Sequence, residues 1–125
     1  MILGIGIDTE DVDRVRLVID RHGHRFLDKV YTPREIAYVD DKANRYERYA
    51  ARFAAKEAAM KALGTGWNKG VHWKDLEIVN SAEGCPTLRL AGGALSRAMQ
   101  MGFRRVHVSM SHTRRTAIAQ VILED

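Results

Sequence analysis

The sequence predicts an α+β fold: a single compact domain over residues 1–125 in which an antiparallel sheet packs against a long alanine-rich helix. Three stretches carry that prediction. Ile2 to Asp8 alternates apolar residues with glycine, as a half-buried strand does. Arg52 to Leu63 is built from alanine, lysine, glutamate, methionine and leucine, the strongest helix formers. Val106–His112 and Thr116–Leu123 alternate again on either side of a short basic turn, which reads as a closing hairpin.

In chain order, Leu3, Ile5 and Ile7 of the first strand are expected on one face, and Gly4, Gly6 and Asp8 on the other. Two glycines on one strand face weaken it unless another backbone must come close. The alanine-rich helix is such a backbone, and laying it on the glycine face carries Asp8, at the strand's end, toward Glu57. After Asp8-Thr9-Glu10-Asp11, a helix is expected from about Val12 to His22, with Val12, Val15, Val18, Ile19 and His22 inward and Gly23 as its stop. Thr32-Pro33-Arg34-Glu35 has the threonine N-cap, N1 proline and N3 glutamate of a capping box, opening a short helix to about Asp40. A polar link from Asp41 to Asn44 leads into the alanine-rich helix, and Gly64 is placed as its left-handed stop. A glycine-rich loop, Gly64 to Gly70, follows. Leu76–Asn80 and Thr87–Leu90 read as strands paired around Ser81-Ala82-Glu83-Gly84, and Ala94–Met101 as a helix ended by Gly102.

Composition narrows the chemistry. A single cysteine, Cys85, leaves no internal disulfide framework, and the five histidines have no zinc-type spacing with it. No apolar run reaches membrane-spanning length and the opening residues lack a signal-peptide pattern, so no membrane insertion and a cytoplasmic location are expected. The formal charge of +4 points to an anionic partner.

Asp8 and Glu57 are the carboxylates that stand out, each on an apolar or small-residue face. Two carboxylates with open positions suit magnesium, which keeps waters and substrate phosphates. Lys61 lies one turn beyond Glu57, where it can meet such a phosphate; a plain Glu57–Lys61 ion pair is the simpler alternative. Gly4-Ile5-Gly6 lacks the third glycine of a dinucleotide fingerprint, and the loop after Leu63 lacks the Gly-Lys-Ser/Thr ending of a P-loop. Backbone N–H groups at Gly64 and Gly66 can still contact an anion, although a helix C-cap alone explains Gly64. His112 closes its strand beside Thr113-Arg114-Arg115, near enough to a basic turn to serve a phosphate, or simply as a structural histidine. No serine elbow accompanies it. Arg14, Arg21 and Arg25 fall at i, i+7 and i+11 along the first helical region with Leu17 and Val18 beside them, either a solvated face or a docking row for an acidic helix.

Together, Gly4-Ile5-Gly6-Ile7-Asp8 with Arg14, then Phe53-Ala54-Ala55-Lys56-Glu57-Ala58-Ala59-Met60-Lys61-Ala62-Leu63-Gly64-Thr65-Gly66, then Val108-Ser109-Met110-Ser111-His112, resemble the holo-acyl-carrier-protein synthases, small 4'-phosphopantetheinyl transferases. Motif order and length agree over essentially the whole chain. The resemblance implies a phosphopantetheinyl transferase-like fold and transfer of 4'-phosphopantetheine from coenzyme A to a serine of apo acyl carrier protein, releasing 3',5'-ADP, in fatty acid biosynthesis. It also implies magnesium and a homotrimer with sites shared between subunits. By motif, Asp8 and Glu57 would hold the metal and Lys61 the coenzyme A phosphates. Gly64, Thr65, Gly66 and His112 would help hold the nucleotide, and Arg14, Arg21 and Arg25 would face the carrier protein. The family often has a basic residue where this chain has Cys85, between Gly84 and Pro86. Two rival readings are a small basic module that binds nucleic acid through Arg104, Arg105, Arg114 and Arg115, without catalysis, and a non-catalytic trimeric scaffold. The first leaves Asp8 and Glu57 unexplained, has no recognisable binding motif, and is diluted by 16 acidic residues.

Overall fold

Strand β1 (Ile2–Asp11) pairs antiparallel with β5 (Thr116–Glu124), which pairs antiparallel with β4 (Arg105–His112), giving a three-stranded sheet in the order β1-β5-β4. A separate antiparallel hairpin joins β2 (Leu76–Asn80) to β3 (Pro86–Leu90), as expected, and leaves Cys85 exposed in its turn. This computed structural model describes residues 1–66 and 69–125; Trp67 and Asn68 of the glycine-rich loop lie outside the described residues.

The alanine-rich helix, α4 (Arg45–Leu63), crosses the inner face of the sheet and contacts β1, β5 and β4. Its C-terminal half lies in one apolar cluster, with Ala119, Val121 and Leu123 of β5 and Leu76, Ile78 and Leu88 of the hairpin. Its N-terminal half lies in another, with Val12, Val15, Leu27, Val30, Tyr31, Val39 and Ala117. Small side chains make this possible: a Cβ on Gly4 would stand 2.2 Å from the Ala62 carbonyl oxygen, and one on Gly6 1.8 Å from that of Ala58. The glycine face of β1 thus meets the helix backbone itself, as its sequence predicts.

Several local expectations change. β1 runs to Asp11 rather than ending at Asp8, because β5 supplies ladder partners as far as Asp11↔Thr116. Asp11 then caps α1 (Val12–His22), accepting from the Asp13 N–H at 2.9 Å. A register shift between Ile2 and Gly4 breaks the simple alternation, so Leu3 packs against the core while Ile5 and Ile7 lie on the exposed outer face. On α1, Val12 and Val15 are buried, but Val18 and His22 are exposed. The contact stripe is the narrow row Val12, Val15 and Ile19, the last packing partly against the core.

Gly23, at φ +54°, ends α1 and starts a helix absent from the sequence reading, α2 (His24–Val30). Its apolar spacing of Phe26, Leu27 and Val30 is the signal that betrays it, but the element is only two turns long. α3 (Pro33–Val39) opens with the predicted capping box: Thr32 N–H donates to Glu35 Oε1 at 3.0 Å, and Glu35 N–H to Thr32 Oγ1 at 3.2 Å. Glu35 has a second role that a capping motif does not announce. Lys56 Nζ, fully buried, donates to Glu35 Oε1 at 2.7 Å and to the carbonyls of Leu76 and Trp73 at 2.6 and 3.1 Å, while Ile78 N–H donates to Glu35 Oε2 at 3.1 Å. This pair ties α3, α4 and β2 together. Burial pulls the Lys56 ammonium below its usual range, and the Glu35 charge and hydrogen bond offset that pull. α5 (Gly92–Met101) begins two residues before its expected start and ends, as predicted, at Gly102 with φ +87°.

Candidate active site

The site is built where β1 and α4 cross. Gly4, Gly6 and Asp8 alternate onto the face toward α4. On the helix, Ala58 and Ala62 lie against the two glycines, so Glu57 and Lys61 flank the contact. Asp8 sits in mid-strand opposite Ala119, half-buried because the helix covers it.

Lys61 Nζ donates to the Ile7 carbonyl at 2.9 Å and to Asp8 Oδ1 at 3.2 Å. That carbonyl is accessible because β1 is an edge strand, with unpaired backbone groups on its outer side. The ion pair made by Lys61 therefore runs across to Asp8 rather than back along the helix to Glu57. The other Asp8 oxygen, Oδ2, is buried and has no hydrogen-bond partner among the described residues. A carboxylate oxygen in that condition is costly unless something positive meets it.

Glu10 also belongs to this site, although the sequence reading passed over it. It follows Asp8 by two residues on the same strand face, and that period was the available signal. Burial first, then the neighbouring Asp8 carboxyl and the charge of Glu57, push the Glu10 carboxyl up to about 8, while Arg14 pulls it down. The Glu57 carboxyl is raised too, first by burial and then by Asp8, with Lys61 opposing. Three carboxyl groups thus crowd a small volume against one ammonium, and burial followed by repulsion raises the proton affinity of Glu10 and Glu57.

An excess of carboxyl groups over cations is the kind of environment a divalent cation can occupy, and Asp8 Oδ2 is an oxygen still without a partner among the described residues. Among the described residues no group of three or more His, Cys, Asp or Glu side chains forms a complete metal cage. Magnesium needs none, since it usually takes one or two carboxylates and fills its shell with water and substrate phosphates.

The remaining predicted residues surround this centre unequally. Gly64 is the left-handed C-cap of α4 at φ +71°, its N–H bonded to the Lys61 carbonyl at 3.1 Å; Gly66 also has positive φ. Thr65 is buried and its Oγ1 has no partner among the described residues. His112 is two strands from β1: Ala117 lies between it and Glu10 in one cross-strand row, so their backbones stand about 10 Å apart. Within one chain His112 is thus separated from Asp8. Arg14 and Arg21 are exposed on α1 with Leu17 and Val18. Arg25 is exposed on α2, beyond the break at Gly23, so the i+11 relation does not hold and the helical row ends at Arg21.

Residues 4–120 match the family model described as the 4'-phosphopantetheinyl transferase superfamily. Over 125 residues, and all of both chains, the sequence is 52% identical to a holo-[acyl-carrier-protein] synthase of Solibacter usitatus. The fold superposes on the crystal structure of holo-[acyl-carrier-protein] synthase from Neisseria meningitidis with a TM-score of 0.89, at 34% identity and complete coverage of both chains. It superposes on the Bacillus anthracis enzyme in complex with CoA (3',5'-ADP) with a TM-score of 0.82, at 35% identity, covering 98% of this chain and 96% of the other.

Proposed function

The chain belongs to the 4'-phosphopantetheinyl transferase superfamily, and on that footing we propose that it transfers 4'-phosphopantetheine from coenzyme A to a serine of apo acyl carrier protein, in the cytoplasm and in the service of fatty acid biosynthesis. Its relatives are named for that activity. The observation that carries the reading to particular residues is Asp8 Oδ2, buried and unpartnered in a nest of carboxyl groups that Lys61 only half neutralises.

Asp8 and Glu57 would hold magnesium, with Glu10 beside them. When bound there, the cation would supply positive charge to the pyrophosphate oxygens of coenzyme A. Lys61 has an exposed side chain on the same patch and would bind those oxygens, exchanging its Asp8 contact for them. Gly64, Thr65 and Gly66 continue the site past the helix end and would orient the nucleotide. The serine oxygen of the carrier protein forms a new bond to the β-phosphorus. The bond from that phosphorus to the bridging oxygen breaks, and 3',5'-ADP leaves with the oxygen. The serine proton would pass either to Glu57 or to a water held at the site.

The outer sheet face supports assembly. Ile5, Ile7 and Ile118 are exposed there, where residues of β1 and β5 lie side by side. We assign this face to a homotrimer of cyclic symmetry, in which His112 would serve a neighbour's nucleotide site. Arg14 and Arg21, with Leu17 and Val18 between and beside them, would receive the acidic carrier protein, and Arg25 would extend that surface from α2. No described helix is long and apolar enough to cross a membrane.

The deciding assay is transfer from coenzyme A to apo acyl carrier protein, followed by mass spectrometry with and without magnesium. Metal-dependent gain of one phosphopantetheinyl group is expected. No gain with magnesium present would refute the reading. Light scattering is expected to report three chains per particle, and a fully active monomer would remove the shared site.

A further inference from the structure

The close contact between β1 and α4 holds the two elements together but does not fix where the helix stands along its own axis. Gly4 and Gly6 meet the backbone of Ala62 and Ala58, with no long side chain on either surface. Axial register between packed elements comes from ridges of side chains seated in grooves, and a glycine face offers no ridge. Glu57 and Lys61 nevertheless serve the site only at the right height beside Asp8, and each residue of slide would move them by about 1.5 Å.

The register is set on the side of α4 turned away from β1, since residue 56 lies about 200° around the helix from residue 58. Lys56 Nζ is fully buried and reaches three oxygens outside α4: Glu35 Oε1 at 2.7 Å, the Leu76 carbonyl at 2.6 Å and the Trp73 carbonyl at 3.1 Å. Both carbonyls belong to the 3₁₀ turn Trp73–Asp75 and the first residue of β2 that follows it. One turn before Glu57, Phe53 stacks on the Trp73 ring, with centroids 5.1 Å apart and planes at 24°. One turn before Lys56, Arg52 donates to Asn80 Oδ1 at the far end of β2. Glu35 is itself fixed by the N–H groups of Thr32 and Ile78. Hydrogen bonds of these lengths tolerate displacements on the order of a few tenths of an ångström before they weaken. Stability alone does not call for a buried ion pair here, because a well-packed apolar pair is often as stable. What the pair adds is direction.

We propose that Lys56 and Glu35 are positioning residues for the carboxylate site: by hooking α4 to β2 they set its axial register, and so the height of Glu57 and Lys61 beside Asp8, a role that rests on the reading of Asp8 and Glu57 as the metal-holding pair. Both are buried, and they act through the helix rather than on metal or substrate.

Manganese, which suits the same oxygen ligands as magnesium, is the probe. Electron paramagnetic resonance of the free ion, titrated into the full chain without substrate, reads its binding. One variant combines Lys56→Met with Glu35→Gln, which removes the hook without leaving an unpaired carboxylate in the core. The other, Leu27→Ala, opens the second apolar cluster and leaves the hook in place. Wild type should bind manganese saturably. The double variant, folded by circular dichroism, should bind it about tenfold more weakly, the scale on which groups that orient metal ligands act. Leu27→Ala should melt at a lower temperature yet bind manganese as wild type does. Wild-type affinity in the folded double variant, or an equal loss in Leu27→Ala, overturns the inference. If the double variant does not fold, Glu35→Gln alone decides: it loosens the ammonium from α3 and should weaken manganese about threefold, as loss of a single hydrogen bond requires. Unchanged affinity there overturns the inference as well. Failure of the metal reading looks different: wild type itself would bind no manganese, and the positioning role would fall with it.

Discussion

Replacing Gly6 with alanine tests the central packing claim directly. The new Cβ would stand 1.8 Å from the Ala58 carbonyl oxygen, 2.8 Å from its carbon and 2.9 Å from the Ala62 nitrogen, all backbone atoms that no rotamer change can move. Ordinary contact begins near 3.4 Å, so strand and helix must separate by about 1.6 Å. Overpacking of this kind costs about 1–3 kcal/mol, and a forced shift against backbone belongs at the top of that range. The same shift parts Asp8 from Glu57 and Lys61, and a misplacement of about 1 Å at a reacting centre costs roughly a hundredfold in rate. Gly4→Ala meets its first obstacle at 2.2 Å, so it requires a smaller separation, one turn of helix from the carboxylates. Urea denaturation should therefore rank the proteins wild type, Gly4→Ala, Gly6→Ala in falling stability. Turnover in the transfer assay should fall most in Gly6→Ala even at temperatures where it is fully folded. Wild-type stability and turnover in Gly6→Ala would refute the claim that these glycines exist to admit the helix.

The other predictions concern charge. Asp8→Ala and Glu57→Ala should each abolish transfer, losing at least a thousandfold on the scale of groups that act together, with circular dichroism unchanged; Lys61→Ala should lose activity yet retain metal binding by calorimetry. Because the folded state raises Glu10 from 4.5 to about 8, it holds that proton more tightly than the unfolded chain does. The resulting stability is fully present below pH 4.5 and is lost as pH rises through about 8, so the Tm of metal-free protein should fall across that window. Glu10→Gln should flatten the slope, and saturating magnesium should reverse it, since the cation favours the ionised carboxylates; an unchanged slope in Glu10→Gln would assign the effect elsewhere. Arg14→Glu and Arg21→Glu should raise the KM for carrier protein while leaving coenzyme A affinity nearly unchanged, imitating added salt on the wild type. Equal losses toward both substrates in steady-state kinetics would move the docking surface off α1.

Much of this molecule is legible in its amino acids because short-range physics writes it there. The glycine alternation of β1, the alanine content of α4, the Thr32–Glu35 capping box and the stops at Gly23, Gly64 and Gly102 all act within a turn or two of chain. Their motifs also locate Asp8, Glu57 and Lys61, and the close approach of β1 and α4 follows from residues without side chains. What tertiary structure alone decided involves partners far apart in sequence. β1 extends to Asp11 because β5, more than a hundred residues later, completes its ladder. Lys56 looks like any helix-favouring lysine until Glu35 and the carbonyls of Trp73 and Leu76 surround it. Glu10 resembles a solvated turn residue until Asp8 and Glu57 press against it, and Lys61 chooses Asp8 over its helical neighbour because an edge-strand carbonyl lies beside that carboxylate. Local propensity sets which segments form, whereas burial and charge depend on distances that only the packed chain defines.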